Sequence, residues 1–274
     1  VNVAFLLVTC CLEQSRTDVL TEVLKNLNEQ APWLREKLTV FDNASTAPGT
    51  IDALCSSYVN VYQADKNVGY WSAIDWWLQH ITPAAPSYTY IIESDMIHYN
   101  FAKLSECVSY LDTNADVGSV RVHEYSVAER HLYNKDVPHR DSRKALWQSH
   151  TNKVTGQQVS FEHSRGDIWT TTFLTQLPAL NRYQAMKDVF DELRTMPRFT
   201  EPDFQALYWR RYQKTGLLDG GLFHCNLNPY GAKVVTGSWT SEADLQRLGY
   251  KTTRRASIVP SDQYIVRRLG LESK

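Results

Sequence analysis

A chain of 274 residues with 43% apolar content has enough material for one sizeable core, and it suits one α/β domain carrying an appended segment. Its formal charge of −1, from 29 basic and 30 acidic residues, provides no global field to draw it onto nucleic acid or an anionic membrane, so neither partner is expected. The five cysteines are odd in number, lack C-x-x-C spacing and sit mostly in apolar runs, so they read as buried thiols of a reducing, cytoplasmic protein.

In chain order, the continuous apolar run Val3 to Val8 has the pattern of a strand covered on both faces in a parallel sheet, with Thr9 at its carboxyl end. It is far shorter than the roughly 20 residues of a membrane span, and no charged leader with a cleavage site precedes it, so no membrane span is expected. Ser15 with Asp18 is a capping-box signal. The stripe Val19, Leu20, Val23, Leu24 and Leu27 then predicts an amphipathic helix that ends by Pro32. Strands are predicted at Leu38 to Phe41, Val59 to Tyr62, Tyr88 to Ile92 and Val117 to Val122. A short helix is predicted around Ile51 to Leu54, and a second one on the stripe Tyr70, Ala73, Ile74, Trp77, Leu78 and Ile81. Such alternation argues for a Rossmann-like, doubly wound, mostly parallel sheet. Ligands of these sheets bind beyond the carboxyl ends of the strands, so Thr9, Asp42 and the Glu93-Ser94-Asp95 turn are expected to converge on one crevice. Residues 124 to 158 lose periodicity and turn polar, as a lid or binding loop would. Val159, Phe161 and His163 alternate as a strand does, helices are expected over Asn181 to Leu193 and Asp203 to Thr215, and the end from Gly237 is basic.

Several of these positions have the chemistry of a site. Glu93 and Asp95 leave the sheet one residue apart, and Mg²⁺ or Mn²⁺ commonly shares one or two carboxylates with substrate phosphates. The same turn, taken alone, also serves as a solvated acidic cap for a helix near Phe101. Asp42 follows a strand, where a carboxylate either bonds a ribose hydroxyl or base N–H, or closes an Asx-turn on its own backbone. Lys66-Asn67-Val68-Gly69 offers a cation, an amide and a glycine ahead of a helix, which suits a nucleotide or a plain turn and cap. Trp71 suits stacking on a base or sugar, or core packing. His224, between Phe223 and Cys225, suits a metal ligand or a buried core residue.

Taken in order, the first strand ending in Thr9, Asp42-Asn43-Ala44-Ser45-Thr46, Asn67-Val68-Gly69 with Ala73, and Glu93-Ser94-Asp95 resemble the nucleotide-binding half of GT-A-fold glycosyltransferases, most closely the large inverting family 2. Downstream, Phe190-Asp191-Glu192, then Glu201-Pro202-Asp203, Arg210, Arg211 and Gly216, are similar to the acceptor-side pattern of that family. His224 stands where many GT-A enzymes place a late metal ligand. The chain departs from the pattern in three places. Glu-x-Asp replaces Asp-x-Asp, Pro202 splits the usual Glu-Asp pair, and Lys187, Asp188 and Val189 stand where small residues normally precede Phe-Asp-Glu.

The resemblance implies a nucleotide-sugar-binding half at 1–122, an acceptor-binding, catalytic half of the same domain at 123–236, and a C-terminal extension at 237–274. It implies metal-dependent transfer, with inversion, from a UDP or GDP sugar to a hydroxyl of a carbohydrate or other acceptor. Asp95 and His224 would hold a divalent cation, Mn²⁺ or Mg²⁺. Asp203 would be the general base, with Glu201 as the alternative. Thr9, Asp42, Lys66, Asn67, Gly69, Trp71, Glu93 and Ser94 would bind the nucleotide-sugar. Pro202 suits the first turn of a helix, which makes Glu201 an N-cap and Asp203 a first-turn residue, with the helix dipole favouring ionised carboxylates. Three rivals are a retaining GT-A transferase, a nucleotidyltransferase and a catalytically silent sugar-binding module. Thr9-Cys10-Cys11-Leu12-Glu13 lacks the glycine and the cation that a nucleotidyltransferase phosphate loop would carry, while eight tryptophans and fifteen tyrosines motivate the sugar-binding module.

Overall fold

In the computed structural model of the chain, strand β1 (Val3–Thr9) lies inside a nine-stranded sheet, paired in parallel with β2 (Leu38–Asp42) on one side and β4 (Tyr88–Glu93) on the other. The structure describes residues 2–80, 85–98, 101–122, 160–172, 178–196, 199, 201–218, 222–224, 234–235, 252–253 and 256–258. Strand β3 (Asn60–Gln63) continues the sheet in parallel beyond β2. On the other flank follow β9 (Ala179–Arg182), β6 (Val117–Val122), β10 (Lys214–Leu218), β8 (Ile168–Thr171) and β7 (Phe161–Arg165), giving the order β3-β2-β1-β4-β9-β6-β10-β8-β7. Within this sheet β8 and β9 run against the remaining strands, so it is mostly parallel, as the alternation of elements predicts.

The reason the run Val3 to Val8 is continuously apolar lies in the two layers that cover it. Successive side chains of a strand point to opposite faces, and here both faces are buried. Phe5 and Leu7 pack with Val19, Leu20, Val23, Leu24 and Leu27 of α1 (Gln14–Gln30) and with Leu54 of α2 (Thr50–Ser57). Leu6 and Val8 pack on the opposite face with Ala73, Ile74, Trp77 and Leu78 of α3 (Tyr70–His80). Cys107 and Leu111 of α4 (Leu104–Thr113) belong to the first layer, while α5 (Tyr183–Leu193) and α6 (Glu201–Arg211) add Met186, Phe190 and Leu207 to the second. Each such aliphatic or aromatic side chain contributes about 1.5–3 kcal/mol on burial.

Several local expectations are corrected. Helix α1 begins at Gln14, with Glu13 as an N-cap that makes no side-chain cap bond, so Ser15 lies inside the helix instead of capping it. The segment expected as helix from Asn181 opens instead as strand β9, and α5 begins at Tyr183. The sheet decides this: Asn181 pairs with Thr89 on one side and Ser119 on the other, filling the gap between β4 and β6. The helix expected to reach Thr215 ends at Arg211, because Lys214 to Leu218 pairs with β6 and β8. Glu201 is the first helical residue and not a cap. Of the cysteines read as buried thiols, Cys11 and Cys107 are buried, Cys10 is half-buried and Cys55 is exposed, while Cys225 lies outside the described residues.

A second, two-stranded sheet pairs β5 (Met96–His98) with β11 (Leu222–His224) in antiparallel fashion. Short strands β12 (Val234–Val235), β13 (Thr252–Thr253) and β14 (Ala256–Ile258) form a third sheet. The polar loop at 124–158 lies outside the described residues, as does the basic end from Gly237 apart from β13 and β14. Among the described residues no helix is long and apolar enough to cross a membrane.

Candidate active site

The parallel register brings the strand ends named above to one edge of the sheet. Thr9 is the register partner of Asp42, and Val8 that of Glu93, so Ser94 follows beside Thr9, with Asp42 on the strand beyond. Thr9 and Asp42 are fully buried, while Glu93, Ser94 and Asp95 are half-buried.

Turn chemistry shapes the Asp42 side of the crevice. The Asp42 carboxylate accepts a hydrogen bond from the Ser45 hydroxyl and another, 3.3 Å long, from the Ser45 amide. The Ser45 hydroxyl oxygen in turn accepts from the Cys11 amide at 2.7 Å, which ties the β2 turn to the end of β1. Between them Ala44 sits at φ 61°, a left-handed conformation that costs a residue with a Cβ about 1–2 kcal/mol. Such strain persists only where the surroundings over-determine it, and it clusters at functional sites. Asn43 reaches across to the next loop. Its amide nitrogen donates to Asn67 Oδ1 at 3.0 Å and its Oδ1 accepts from the Val68 amide at 2.7 Å. Asn67 closes an Asx-turn onto the Gly69 amide at 2.8 Å, with Gly69 at φ 88° where the turn needs a positive value. Its own amide donates to Cys10 Sγ at 3.4 Å. These bonds tie the exposed Asn67-Val68-Gly69 loop to the end of β2, with Lys66 exposed beside it.

Burial pushes the Asp42 carboxyl above its ordinary value of 3.8, and the two hydrogen bonds from Ser45 offset part of the rise. The sign follows directly. Below 3.8 the group is protonated in folded and unfolded chains alike, and as pH rises the unfolded carboxyl ionises first, withdrawing stability from the fold. Asp42→Asn has no such carboxyl. The unfolding free energy of the wild type relative to Asp42→Asn is therefore expected to fall as pH rises above 3.8, then to level off beyond the folded value. Urea unfolding at a series of pH values measures this, and a pH-independent difference contradicts it.

The Glu93-Ser94-Asp95 turn joins β4 to β5. Tyr70, at the head of α3, places its hydroxyl 3.5 Å from Glu93 Oε1. On the neighbouring strand, His224 is the register partner of Met96, the residue after Asp95. Among the described residues no group of three or more His, Cys, Asp or Glu side chains is gathered to hold a metal ion by itself. Two carboxylates on one half-exposed turn are nevertheless a donor set that Mg²⁺ or Mn²⁺ uses when substrate phosphates supply further oxygens, so the residues present fit such a cation.

Helices α5 and α6 meet α3 through aromatic contacts. Trp71 stacks on Phe204 of α6, with ring centroids 4.7 Å apart and planes at 29°, and lies 6.2 Å from Phe190 of α5. A contact chain therefore runs from Glu93 through Tyr70, Trp71 and Phe204 to Asp203, which immediately precedes Phe204. Trp71 thus serves as packing between α3 and α6. Glu201 and Asp203 both lie in the first turn of α6, and Gln205 Nε2 donates to Glu201 Oε1 at 2.9 Å. Glu192 pairs with Arg210 at 3.0 Å and Arg211 at 3.5 Å, binding α5 to α6, while Asp191 and Asp75 both hold Arg194. Gly216 lies where an added Cβ would meet Val120 Cγ2 at 2.8 Å, so close packing in β10 explains this glycine.

Three residues shape this site to which the sequence reading, though it quoted them in a motif or a helical stripe, assigned no role there: Asn43, Ser45 and Tyr70. A turn-forming Asn-Ala-Ser stretch immediately after Asp42 is a signal for the first two, whereas their bonds to residues in other loops are set by the tertiary fold. Arg121 lies apart from these, on β6. An arginine inside the apolar run Val117 to Val122 is unusual, and it is 1% exposed near the carboxyl end of β6.

No protein-family model and no curated protein matches the chain. Among solved structures, the chain is similar to residues 1–349 of TarS from S. aureus in complex with UDP-GlcNAc, at 14% identity and a TM-score of 0.52, covering 90% of this chain and 64% of that one. A mannosyltransferase from Pyrobaculum calidifontis, PcManGT, in complex with GDP-Man and Mn²⁺, is similar at 17% identity and a TM-score of 0.47, covering 80% and 54%. The 4-diphosphocytidyl-2C-methyl-D-erythritol synthase of Anaerococcus prevotii matches at 11% identity and a TM-score of 0.47, covering 90% and 93%. The chain thus spans less than two thirds of the TarS and PcManGT chains. At such identities the likeness to TarS speaks to architecture: this chain has the Rossmann-like α/β fold of GT-A glycosyltransferases.

Proposed function

We propose that the chain transfers a sugar from a nucleotide-diphosphate donor, a UDP or GDP sugar, to an acceptor hydroxyl with inversion at the anomeric carbon. The observation that supports it is the register that sets Thr9, Asp42 and the Glu93-Ser94-Asp95 turn at one edge of a GT-A sheet. In this reading Thr9, Asp42, Lys66, Asn67 and Gly69 receive the base and ribose, with Asn43 and Ser45 holding their loops in place. Trp71, half-buried and stacked on Phe204, remains in this reading a residue for stacking on the base or sugar. Glu93 and Ser94 face the ribose and diphosphate. Asp95 and His224 would hold a Mn²⁺ or Mg²⁺ ion, which would offset charge growing on the leaving diphosphate.

The remaining chemistry is a proton. An attacking hydroxyl must lose one as its oxygen bonds to the anomeric carbon and the bond to diphosphate breaks. Asp203 takes it in this reading. Asp203 lies in the first turn of α6, where the positive end of a helix dipole stabilises an anionic side chain. Glu201 is engaged by Gln205 and is assigned to holding that turn.

Calorimetric titration of the chain with UDP and with GDP, in Mn²⁺ or Mg²⁺ and in EDTA, tests the proposal. Metal-dependent binding of one nucleotide is the expected result. If neither binds with either metal, the proposal fails; if free glycan binds without nucleotide or metal, the sugar-binding module replaces it.

A further inference from the structure

Strand β5, which carries the chain away from Asp95, is only Met96–His98 long, and β11 pairs with one of its edges. A strand of this length is weakly held by a single partner, since isolated two-stranded pairings are marginal in water. Its other edge is occupied by a side chain. Asn26, in the last two turns of α1 and 72 residues distant in sequence, donates through Nδ2 to the His98 carbonyl at 2.8 Å and accepts through Oδ1 from the His98 amide at 2.8 Å. Both backbone groups of His98 therefore point away from β11 and toward α1, as in a non-hydrogen-bonded antiparallel pair. One carboxamide reproduces the two bonds a neighbouring strand would supply. Asn26 and His98 are 3% and 2% exposed, so water does not compete for these bonds. The His98 ring is fixed as well, with the Tyr90 hydroxyl 3.2 Å from Nε2 and Phe101 packed at 5.2 Å. Tyr90 lies on β4, three residues before Glu93, so the Glu93-Ser94-Asp95 turn is held at both ends through His98.

A buried polar residue on the apolar face of α1 is costly unless its bonds are made, and the stripe of Val19, Val23 and Leu27 has no packing reason to include one. We infer that Asn26 is a positioning residue for the Asp95 turn, acting as a surrogate strand edge that fixes β5 and hence the direction in which Asp95 presents its carboxylate. The inference rests on the proposed reading of Asp95 as a cation ligand. Groups that orient a metal ligand from behind typically cost 10–100-fold in metal affinity when removed.

The test compares wild type, Asn26→Ala and Tyr90→Phe in two measurements. One is titration with UDP and GDP in Mn²⁺ and in EDTA; the other is amide hydrogen exchange over residues 93–98. Asn26→Ala is expected to weaken Mn²⁺-dependent nucleotide binding by about 10–100-fold, to leave metal-free binding unchanged, and to speed exchange over 93–98 more than along α1. Unchanged Mn²⁺-dependent affinity, or equal losses with and without metal, overturns the inference, because a merely structural role lowers stability without singling out the metal. Should Asn26→Ala fail to fold, Tyr90→Phe, which removes only the hydroxyl held to His98, carries the same test with a smaller loss in the same direction; no loss overturns the inference. If the wild type binds neither nucleotide, the glycosyltransferase reading fails separately. Exchange then decides the clamp: selective acceleration in Asn26→Ala upholds it, and unchanged exchange overturns it.

Discussion

Asp95→Asn is expected to abolish the metal dependence of nucleotide binding and to lower sugar transfer by at least about 100-fold, the scale on which single preorganised electrostatic groups act. The variant keeps the side chain's shape and removes its charge. Asp95 sits half-buried on a turn outside both apolar layers, so the fold is expected to survive with a thermal transition close to wild type. Glu93→Gln provides the internal comparison. Its carboxylate lies near the Tyr70 hydroxyl, and it is expected to weaken nucleotide binding while keeping the response to Mn²⁺. A Mn²⁺ titration of both variants against wild type separates the two carboxylates. Wild-type Mn²⁺ dependence in Asp95→Asn, or its loss in Glu93→Gln alone, would exchange their roles.

The second large effect belongs to Asp203. Asp203→Asn is expected to reduce kcat by about 10²–10⁴-fold, the range general-base catalysis contributes, with nucleotide affinity unaltered. Asparagine is the appropriate choice because the next residue, Phe204, is buried against Trp71 and Phe190, and a change of shape at Asp203 would disturb that packing. Glu201→Gln retains an acceptor for Gln205 and is expected to cost far less. Single-turnover measurements with saturating donor report the chemical step directly. Near-normal turnover of Asp203→Asn would rule out the inverting assignment and favour a retaining enzyme, which needs no base at that place.

The departures from the family pattern acquire physical content in the fold. Pro202 separates Glu201 from Asp203, yet both remain in the first turn of α6, where the missing amide hydrogen of proline breaks no helical bond. Glu192, Arg210 and Arg211 join α5 to α6. Exposed pairs of this kind contribute up to about 1 kcal/mol each, so they set the relative placement of the two helices more than their stability.

Apolar periodicity determined a great deal without any structure. The run Val3 to Val8 and the stripes on α1 and α3 record which surfaces are buried, because strand and helix periods translate burial directly into spacing. From that alternation came the mostly parallel sheet and the expectation that Thr9, Asp42 and the Glu93-Ser94-Asp95 turn lie at one edge, where the register puts them. What periodicity does not encode is the partner of a polar group. Asn43 meets Asn67, Asn26 meets His98, and Asn181 enters a strand between β4 and β6 because distant segments leave unpaired backbone groups there to be satisfied. Trp71 shows the same division: core packing was one of its two readings from the sequence, but its stacking on Phe204 required α6 to fold back onto α3. Burial is a property of a single segment's pattern, whereas hydrogen-bond pairing belongs to two segments at once. The strands that end at the crevice were therefore readable from the sequence by itself, and the bonds that hold Asp42, Asn67 and the Asp95 turn in position were decided only in three dimensions.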